Sequence, residues 1–521
     1  MQTAAIPAAA EKKSGLLYWA QRVIEECDNA SRDFAADPVH DLRVAIRRCR
    51  SMADGFLSVD PDPGWKQMKR LAKPLFASLG DLRDVQVMAE WVDKLSSPDD
   101  PARAILLLEL QVRETQLKAA AQEELGKFDR KQWLSLNTHL STRAEKIPPG
   151  GSVFQLLALE RWNDAHELHR RALRNRSGVA YHQLRIGIKR LRYTVENFLP
   201  TLHEKWSKDL RDLQDALGEV HDFDVLWAML RSHPEIAAEV RAHWHATISR
   251  ERGQRLTIYR ERMVGPTSLW KTWRAELPSG EALKRAGLEK LRLWASFLDP
   301  HFEHATRVSV LALRLYDDLA EHKIIRADRR QRVVLEAAAL MHDIGRSKQE
   351  AGHKKRSFRM IEKVQPPPGW SAEEMQAAAI VGRYHRGPIA PVTHKMFRGM
   401  PARGRTHLLR LAGILRLANA LDLATQPQAA QPHFSSKNGV VVVDVSGIDL
   451  YVGPAGESLA RAKYLLEATC GVPIKFESIS AARAKAAPAK QVRPGHKPRP
   501  ANSSSRSRPT LRSSRQSTLP G

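Results

Sequence analysis

The sequence predicts a mainly α-helical protein, in which two pseudo-repeated helical bundles precede a second helical domain, a small α+β appendage and a disordered basic tail. The first observation behind this prediction is an internal repeat. Residues 39–56 (VHDLRVAIRRCRSMADGF) align without a gap with residues 181–198 (YHQLRIGIKRLRYTVENF), at an offset of 142. The second is a change of composition after residue 480, where ten basic residues occur without any Asp or Glu. A segment of this composition cannot bury a core, and it predicts disorder.

Each copy of the repeat predicts a helix with a basic face and a separate apolar face. Because a helix turns by about 100° per residue, side chains at i, i+3, i+7 and i+10 share one side of it. The basic residues at these positions are His40, Arg43, Arg47 and Arg50 in the first copy and His182, Arg185, Lys189 and Arg192 in the second.

The basic faces have two interpretations. A single amphipathic helix of this kind usually has a basic face that is merely solvated. Here no acidic residue interrupts either row, so like charges repel one another at helical spacing, and the chain carries this cost twice. We therefore expect both faces to bind a polyanion, with the leading histidines as donors that become charged near neutral pH.

A second motif follows each copy at a nearly constant distance. Residues 79–85 (LGDLRDV) match residues 217–223 (LGEVHDF) at an offset of 138, and four basic residues upstream also align. These are Arg70 and Lys73 in the first copy and Lys208 and Arg211 in the second. We expect Asp84 and Asp222, the acids near the end of the motif, to orient neighbouring arginines.

The pattern H-x-L-R-x-x-x-[RK]-R-x-R, present at residues 40–50 and 182–192, resembles the conserved-histidine α-helical domain (CHAD) family. The resemblance covers roughly residues 15–275. It implies two helical bundles around a basic channel that binds inorganic polyphosphate, lined by the basic residues of the two copies. One departure is Lys189, which stands where the first copy has Arg47 and lacks the bidentate fork of a guanidinium.

The composition favours polyanion partners. The formal net charge of +25 predicts salt-sensitive binding to phosphate polymers. We expect only non-specific binding of nucleic acid, because aromatic residues, which single-strand binders use for stacking, make up 6% of the chain. Three distant cysteines predict no disulfide framework, and the lack of an 18-residue apolar run predicts no membrane segment. The expected location is the cytoplasm, with polyphosphate granules as a further expected site of association.

Changes of pattern along the chain predict its division into segments. They are a flexible leader (1–14), the tandem bundles (15–275), a linker (276–283), a second helical domain (284–430), an α+β appendage (431–480) and the basic tail (481–521). Within the appendage, strands are expected at residues 440–445, 450–452 and 472–477, and a helix at residues 457–469.

His342 and Asp343 form the centre of a candidate metal site in the second helical domain. Imidazole and carboxylate ligands together suit Mn, Fe, Zn or Mg, although an isolated His-Asp pair often occurs by chance. The other candidate ligands are spread along this domain, at His304, His353, His385 and Asp422.

Five segments in order make this region resemble the HD-type C-terminal helical module of the exopolyphosphatase / guanosine pentaphosphate phosphohydrolase family. They are HATRVSVLALRLYDDL, EAAALMHDIG, AGHKKRSFRMI, AIVGRYHRGPIAP and LLRLAGILRLANALD, and they begin at residues 304, 336, 351, 379 and 408. The match covers roughly residues 284–480. The family's N-terminal actin-like domain, which carries its chemistry, has no counterpart in the sequence.

This second resemblance implies a divalent metal that activates water for the hydrolysis of a phosphate. Its implied ligands are His304, His342, Asp343 and Asp422. The family pattern has its fourth ligand, an Asp, at the position where this chain has Asn419. Asp422, three residues further on, is the candidate that takes its place. The family also has a histidine-rich run. In this chain His353 remains, but Lys354 and Arg356 stand where that run has histidines. The altered region implies phosphate binding by His353, Lys354, Arg356, Arg383, His385 and Arg386.

Three functions are compatible with these patterns. The first is a binding protein for inorganic polyphosphate, in which the tandem bundles and the second helical domain both recognise phosphate. The second is a metal-dependent phosphohydrolase that acts on polyphosphate or on a phosphorylated nucleotide, so that nucleotides are further candidate partners. The third is a nucleic-acid binder driven by bulk charge, which would bind DNA and polyphosphate equally at matched charge.

Overall fold

The computed structural model describes residues 15–389, 394–397, 399–424, 433–437, 439–445 and 454–477. The predicted leader, the predicted strand at residues 450–452 and the predicted tail lie outside the described residues. Within them, the mainly helical fold class is confirmed, with a small sheet near the C-terminus. None of the helices in the described part of the chain combines the length and apolar character needed to cross a bilayer.

The first repeat forms a helical bundle in which α2 carries the first basic row. Its helices are α1 (Leu16–Ala30), α2 (Ala36–Phe56), α3 (Gly64–Leu71), α4 (Lys73–Leu95), α5 (Pro101–Lys127) and α6 (Arg130–Ala144). The chain turns between α3 and α4, and Pro74 lies in the first turn of α4, where its missing N–H leaves no intrahelical bond unmade.

The second repeat forms a similar bundle in which α8 carries the second basic row. Its helices are α7 (Ser152–Asn175), α8 (Gly178–Phe198), α9 (Pro200–Arg231), α10 (Ala238–Met263) and α11 (Leu269–Glu276). Here the segment that corresponds to α3 and α4 is the single 32-residue helix α9. This difference explains why the second motif aligns at a slightly different offset from the first.

The apolar faces of α2 and α8 pack into one core that both bundles share. Leu42, Ile46 and Cys49 of α2 and Leu184 and Ile188 of α8 are all fully buried, as the periodicity predicted. Because the apolar faces point into this core, the basic faces of the two helices are left to meet on another side of the crossing.

Close approach of α2 and α8 requires a glycine at position 55. A Cβ at Gly55 would overlap the ring of Phe198, which stacks on Phe154 with ring centroids 4.1 Å apart. We expect Gly55→Ala to lower the free energy of unfolding by about 1–3 kcal/mol, as overpacking of a core does. Urea titration of the full chain, followed by tryptophan fluorescence, measures this change.

Gly253→Ala is the matched control, because Gly253 lies within α10 and has no atom within 4 Å of its Cβ position. There alanine should raise the free energy of unfolding by about 0.5–1 kcal/mol through its higher helix propensity. Equal effects of the two substitutions would contradict the close packing of α2 on α8.

The second helical domain follows directly on the bundles. Its helices are α12 (Gly280–Leu298), α13 (Phe302–Glu321), α14 (Arg329–Met341), α15 (His353–Lys363), α16 (Ala372–Arg383) and α17 (Ala402–Ala424). Short 3-10 turns at Ile344–Ser347 and Lys395–Phe397 lie between them.

The appendage is a three-stranded sheet with one helix, α18 (Pro454–Cys470), which packs on α17. Its strands are β1 (His433–Lys437), β2 (Val440–Asp444) and β3 (Ile474–Glu477). β2 is central, antiparallel to β1 and parallel to β3. The all-valine run in β2 suits this central position, because the run packs on the apolar core.

The junction between the bundles and the second domain is packed. α12 begins at Gly280 and Leu277 is buried, so the connection is shorter than the predicted linker at residues 276–283. α12 packs on α7, and Lys290 of α12 forms an ion pair with Glu160 of α7. The guanidinium of Arg143 lies 4.8 Å from the ring centre of Phe297.

Candidate functional site

The basic faces of α2 and α8 meet at a cavity of about 570 Å³. Arg43, Arg47 and Arg50 of α2 line it from one side, and Lys189 of α8 lines it from the other. The structure also brings in three cations that sequence reasoning missed, which are Lys69, Arg161 and Arg190. We refer to this space as the basic cavity.

Two aromatic rings hold the arginines of α2 in place. The guanidinium carbons of Arg43 and Arg50 lie 5.4 and 5.1 Å from the ring centre of Phe76, and that of Arg47 lies 5.2 Å from the ring centre of Tyr193. Cation–π contacts of this kind stabilise a charged group without neutralising it. The side chains are therefore positioned while their charges stay available.

The glycines of the second motif lie against basic residues of the first motif, more tightly at Gly80 than at Gly218. A Cβ at Gly80 would come within 2.8 Å of Arg43 Nη1, and a Cβ at Gly218 would lie 3.7 Å from Arg185 Nε. Each repeat thus places the Leu-Gly pair of one helix against a basic residue of another. This contact gives a physical reason for the recurrence of the two motifs together.

The central cations of the two basic faces are not in ion-pair contact with a carboxylate of the described part of the chain, although the charges of Arg43, Arg185 and Lys189 act on Asp84. Among the described residues, Arg43, Arg47, Arg185 and Lys189 form no ion pair, and Arg43 Nη1, Arg47 Nε and Arg185 Nε are buried without a hydrogen-bond partner. By contrast, Arg48, which lies off the basic row, pairs with Glu196. The unused donors of the central cations are suited to bind an anion.

The crowding of these cations changes their protonation. Burial, followed by repulsion from Arg185 and Arg47, lowers the pKa of Lys189 to about 7. Burial also lowers the pKa of His221, which lies beside His182, to about 4. In the other direction, burial raises the pKa of Asp222 to about 6 even though Arg185 opposes it. Burial thus outweighs the charges of the neighbours at Asp222.

The other predicted residues of the bundles, including Arg185, are not among the described residues that line the basic cavity. His40 is exposed, His182 is half-buried with Nδ1 lacking a partner among the described residues, and Arg192 lies near Tyr193 and Glu196. Four predicted cations are exposed and do not line the cavity. They are Arg70, Lys73, Lys208 and Arg211.

The second domain contains a buried cluster centred on the carboxylate of Asp343, which we call the Asp343 cluster. The Nε2 atoms of His353 and His385 lie 3.2 and 3.6 Å from Asp343 Oδ1, and His342 Nε2 lies 3.7 Å from Oδ2. His342, Asp343 and His385 are at most 1% exposed. The histidines come from the end of α14, the start of α15 and the turn after α16.

Backbone carbonyls fix the tautomers of three of these histidines. The Nδ1–H groups of His342, His353 and His385 donate to Ala339 O at 2.6 Å, Glu350 O at 2.9 Å and Gly382 O at 2.7 Å. Each Nε2 therefore carries a free lone pair that is directed at Asp343, and none has a hydrogen-bond partner among the described residues. Nitrogen lone pairs and a carboxylate in this arrangement fit a divalent metal ion.

The potential ligand atoms form two groups that share Asp343. His304, His342 and Asp343 make up one, and Asp343, His353 and His385 make up the other, with ligand atoms within 4.8 Å of one another in each group. Burial raises the pKa of Asp343, but the guanidinium of Arg346 beside it acts in the opposite direction, and the pKa lies well below its ordinary value. Asp343 is therefore a carboxylate at neutral pH.

This ligand set differs from the one expected from the sequence. His353 and His385, predicted to bind phosphate, face the carboxylate of Asp343. Asp422, predicted to bind metal, lies behind His304. Its Oδ2 is 2.6 Å from His304 Nδ1, and its Oδ1 accepts a hydrogen bond from Arg307 Nε at 2.8 Å. A carboxylate behind a histidine orients its ring and raises its basicity.

Two guanidinium groups border the Asp343 cluster. Arg346 Nε lies 2.7 Å from Asp343 Oδ2. With its amide oriented to satisfy both neighbours, Asn419 donates to His304 Nε2 over 3.1 Å and accepts from Arg386 Nε over 3.0 Å. Asn419, which stands where the family pattern expected from the sequence has Asp, therefore lies beside the positive charge of Arg386.

A cleft of about 1,080 Å³ is lined by His304 and Asp422, and two charged residues that sequence reasoning missed also line it close to the cluster. Arg346 is one. Asp299, the other, is 4% exposed, and its Oδ2 has no hydrogen-bond partner among the described residues. Arg346 could have been found from the sequence, because it is the third residue after the His342-Asp343 pair. The sequence around Asp299 gives no comparable signal.

Most donors of one predicted phosphate ligand, Arg356, contact carbonyls of the protein. Arg356 Nε donates to Gly345 O at 3.2 Å, and its Nη2 donates to the carbonyls of Gln349 and Ala351. These contacts occupy most of its donors and close the loop between α14 and α15. The remaining two predicted cations, Lys354 and Arg383, face away from the Asp343 cluster.

Two protein-family models match parts of the chain. That of the CHAD domain matches residues 16–231, and that of the Ppx/GppA phosphatase, domain III, matches residues 296–444. Among solved structures, the CHAD domain from the plant Ricinus communis is similar over 52% of this chain and 94% of its own, at 18% identity and a TM-score of 0.34. No curated protein sequence matches the chain. The chain therefore joins a CHAD domain to a domain III of the Ppx/GppA phosphatase type.

Proposed function

We propose that this protein binds inorganic polyphosphate in the basic cavity of its CHAD domain. The two domains together indicate a polyphosphate-related function. The observation that carries this proposal is the pair of buried donors on Arg43 and Arg47 that have no hydrogen-bond partner among the described residues and that line a cavity shared with Lys189. A polymer with one negative charge on each phosphate can satisfy several of these donors at once.

The exposed cations around the cavity extend this proposed binding path. Contacts at several places along one polymer add to the affinity because each later contact is intramolecular. The phosphates would also displace counterions, so the affinity should fall steeply with salt. The test is equilibrium binding of polyphosphate to the full chain across a salt series, with duplex DNA as competitor. Equal affinity for both polymers at matched charge would overturn the proposal.

The protonation of Lys189 gives this binding a pH dependence. Lys189 has a pKa of about 7 in the free protein, compared with 10.5 ordinarily, and a bound phosphate favours its charged form. Binding therefore takes up a proton between these two values, and the affinity for polyphosphate should fall as the pH rises from about 7 to 10, by up to about tenfold per unit. Titrations of polyphosphate at pH 6, 8 and 9 measure this slope.

Lys189→Arg is the control for this pH dependence, because a guanidinium stays charged throughout the range. The variant should bind polyphosphate with little change between pH 7 and pH 9. Asp222 and His221 titrate below this window, at about 6 and about 4, and do not contribute to it. An undiminished slope in the variant would show that another group takes up the proton.

A second candidate function is metal-dependent hydrolysis of a phosphate compound at the Asp343 cluster. It is favoured by the three fixed histidine tautomers whose Nε2 atoms converge on one carboxylate. Asp343 would hold the metal together with either His353 and His385 or His342 and His304, and in the second group His304 Nε2 would first have to release the amide of Asn419. A divalent ion held there would polarise a phosphoryl oxygen and lower the pKa of bound water. Arg346 and Arg386, at the border of the cluster, would bind and orient the negatively charged substrate.

A further inference from the structure

Lys189 and Lys69 are the two lysines among the described residues that line the basic cavity, and their surroundings differ. The ammonium of Lys69 forms an ion pair with Asp54. Lys189 is half-buried, and Asp84 acts on it through its charge without an ion-pair contact. The amine of Lys189 is therefore not held by a carboxylate of the described part of the chain.

Most of the groups around Lys189 are cations. Burial, followed by repulsion from Arg185 and Arg47, lowers the pKa of Lys189 to about 7. Arg43 acts in the same direction, and the carboxylate of Asp84 opposes it. At pH 7 about half of this amine is neutral, compared with roughly one in 3,000 at the ordinary pKa of 10.5. The other charged or titratable groups that line the cavity are Arg50, Asp54, Lys69, Arg161, Arg190 and Tyr193.

The same cations suit the cavity to a small anion. Arg43 Nη1 and Arg47 Nε are buried donors without a hydrogen-bond partner among the described residues, and both side chains line the cavity together with Lys189. The volume of about 570 Å³ admits a small molecule. A lysine that is desolvated next to other cations is an activated nucleophile. The cavity can thus hold an anionic electrophile against this amine.

An acyl phosphate combines the two features that this arrangement recognises. Its phosphate carries between about 1.5 and 2 negative charges at neutral pH, as other phosphate monoesters do, and its carbonyl carbon reacts with amines. The phosphate is also the leaving group. Because guanidinium groups stabilise the charge that develops on it as the C–O bond breaks, the cavity favours the reaction as well as the binding.

We propose that Lys189 is a site of acylation by small acyl phosphates, and that this acylation weakens the binding of polyphosphate in the basic cavity. The neutral Nζ attacks the carbonyl carbon, so that a C–N bond forms and the C–O bond to the phosphate breaks. The phosphate leaves with the bonding electrons and, through water, takes up the proton that the amine loses. The weakening of polyphosphate binding rests on the function proposed above for this cavity.

The product is an amide, which has no charge and fills part of the cavity. Loss of one charged contact lowers the affinity for polyphosphate by about 10-fold or more. Lys189→Gln, which is uncharged like the acylated side chain, should lower this affinity by a similar factor. The modification therefore acts as a switch that responds to the supply of acyl phosphates.

The first test measures acylation of the full chain without polyphosphate. The protein is incubated with acetyl phosphate at pH 7.5, and mass spectrometry of its peptides gives the rate at each lysine. We expect Lys189 to react at least about 10-fold faster than Lys69 and the exposed Lys131, because its gain in neutral amine exceeds the loss of nucleophilicity that accompanies a lower pKa. Equal rates at the three lysines would overturn the modification site.

Acetic anhydride is the matched reagent, because it transfers the same acetyl group without a phosphate. The excess of the rate at Lys189 over that at Lys131 should be smaller with the anhydride, since the guanidinium groups do not attract a neutral reagent. An equal excess with both reagents would show that the cations play no part in recognition, against the assignment to acyl phosphates.

The second test measures polyphosphate binding before and after the treatment with acetyl phosphate. The wild type should lose about 10-fold or more in affinity, whereas treated Lys189→Arg, which has no amine at this position, should bind as it did before treatment. Acetylation of Lys189 without loss of affinity would refute the switch. If the untreated wild type does not bind polyphosphate, the proposed function and the switch fail together, whereas the rate measured at Lys189 still decides the modification site.

Discussion

Changing Arg43, Arg47, Arg185 and Lys189 together to alanine should lower the affinity for polyphosphate by at least about 1,000-fold, since each charged contact contributes about 1.5–3 kcal/mol and the four are not fully additive. Arg43, Arg47 and Arg185 each have a buried donor without a hydrogen-bond partner among the described residues, so no described acceptor competes with the ligand for these donors. The measurement is polyphosphate binding at low and physiological salt. The slope of affinity against salt should also become shallower, because fewer counterions are released.

The matched control removes four exposed cations elsewhere in the same domain, with no change at the cavity. Suitable positions are Arg32, Lys131, Arg171 and Lys271. This control should keep most of the affinity, since loss of exposed charge acts only through the screened field of the whole protein. If both quadruple variants lose affinity equally, bulk charge and not the basic cavity binds the polymer.

The second large effect is expected at the Asp343 cluster. Asp343→Asn keeps the shape of the side chain but removes the charge that both potential ligand groups share. We expect the purified wild-type protein to bind a divalent ion such as Mn²⁺, and the variant to lose more affinity than the roughly 10- to 100-fold that loss of a group behind a ligand costs. Elemental analysis and titration with Mn²⁺ measure this difference directly.

Two further variants sharpen this test. Asp422→Asn should weaken metal binding by only about 10- to 100-fold, because Asp422 orients His304 from behind. Glu373→Gln, at the exposed start of α16, should have no effect. Binding of Mn²⁺ by Asp343→Asn as tight as by the wild type, or no binding by the wild type, would contradict a metal site here.

Metal binding and phosphate release are separate readouts of the second candidate function. If the wild type binds metal and releases phosphate from polyphosphate, and Asp343→Asn does neither, the domain is a hydrolase. If it binds metal without releasing phosphate, the hydrolase candidate is overturned, while polyphosphate binding by the CHAD domain is unaffected.

The bundles were predictable because their signal is local. The spacing of His40, Arg43 and Arg47 already assigns them to one side of α2, and the buried positions of Leu42 and Ile46 follow from the same period. Spacing does not say which other element a face meets. The packing of α4, α7 and α8 against α2 decided the other contacts of the arginines. It placed Phe76 and Tyr193 against their guanidinium groups and brought Arg161 to the same cavity.

In the second domain, residue types were predictable but their roles were less so. Lys354 follows His353 in the sequence, yet the two side chains face different sites, because adjacent residues on a helix point about 100° apart. Arg356 was assigned to phosphate because of its charge, whereas the fold brings carbonyls of the loop before α15 to its donors. A loop's path over a helix leaves no periodic signal in the sequence.

The sequence by itself determined the helical class, the repeat, the two domain types and the chemical kinds of side chain available for binding. Only the tertiary structure decided which of those side chains converge: Lys189 beside Arg47, and His385 beside His342 and Asp343. The physical reason is that periodicity depends on neighbours along a helix. A site depends instead on contacts between helices far apart in the chain, whose positions are set by packing of the whole core.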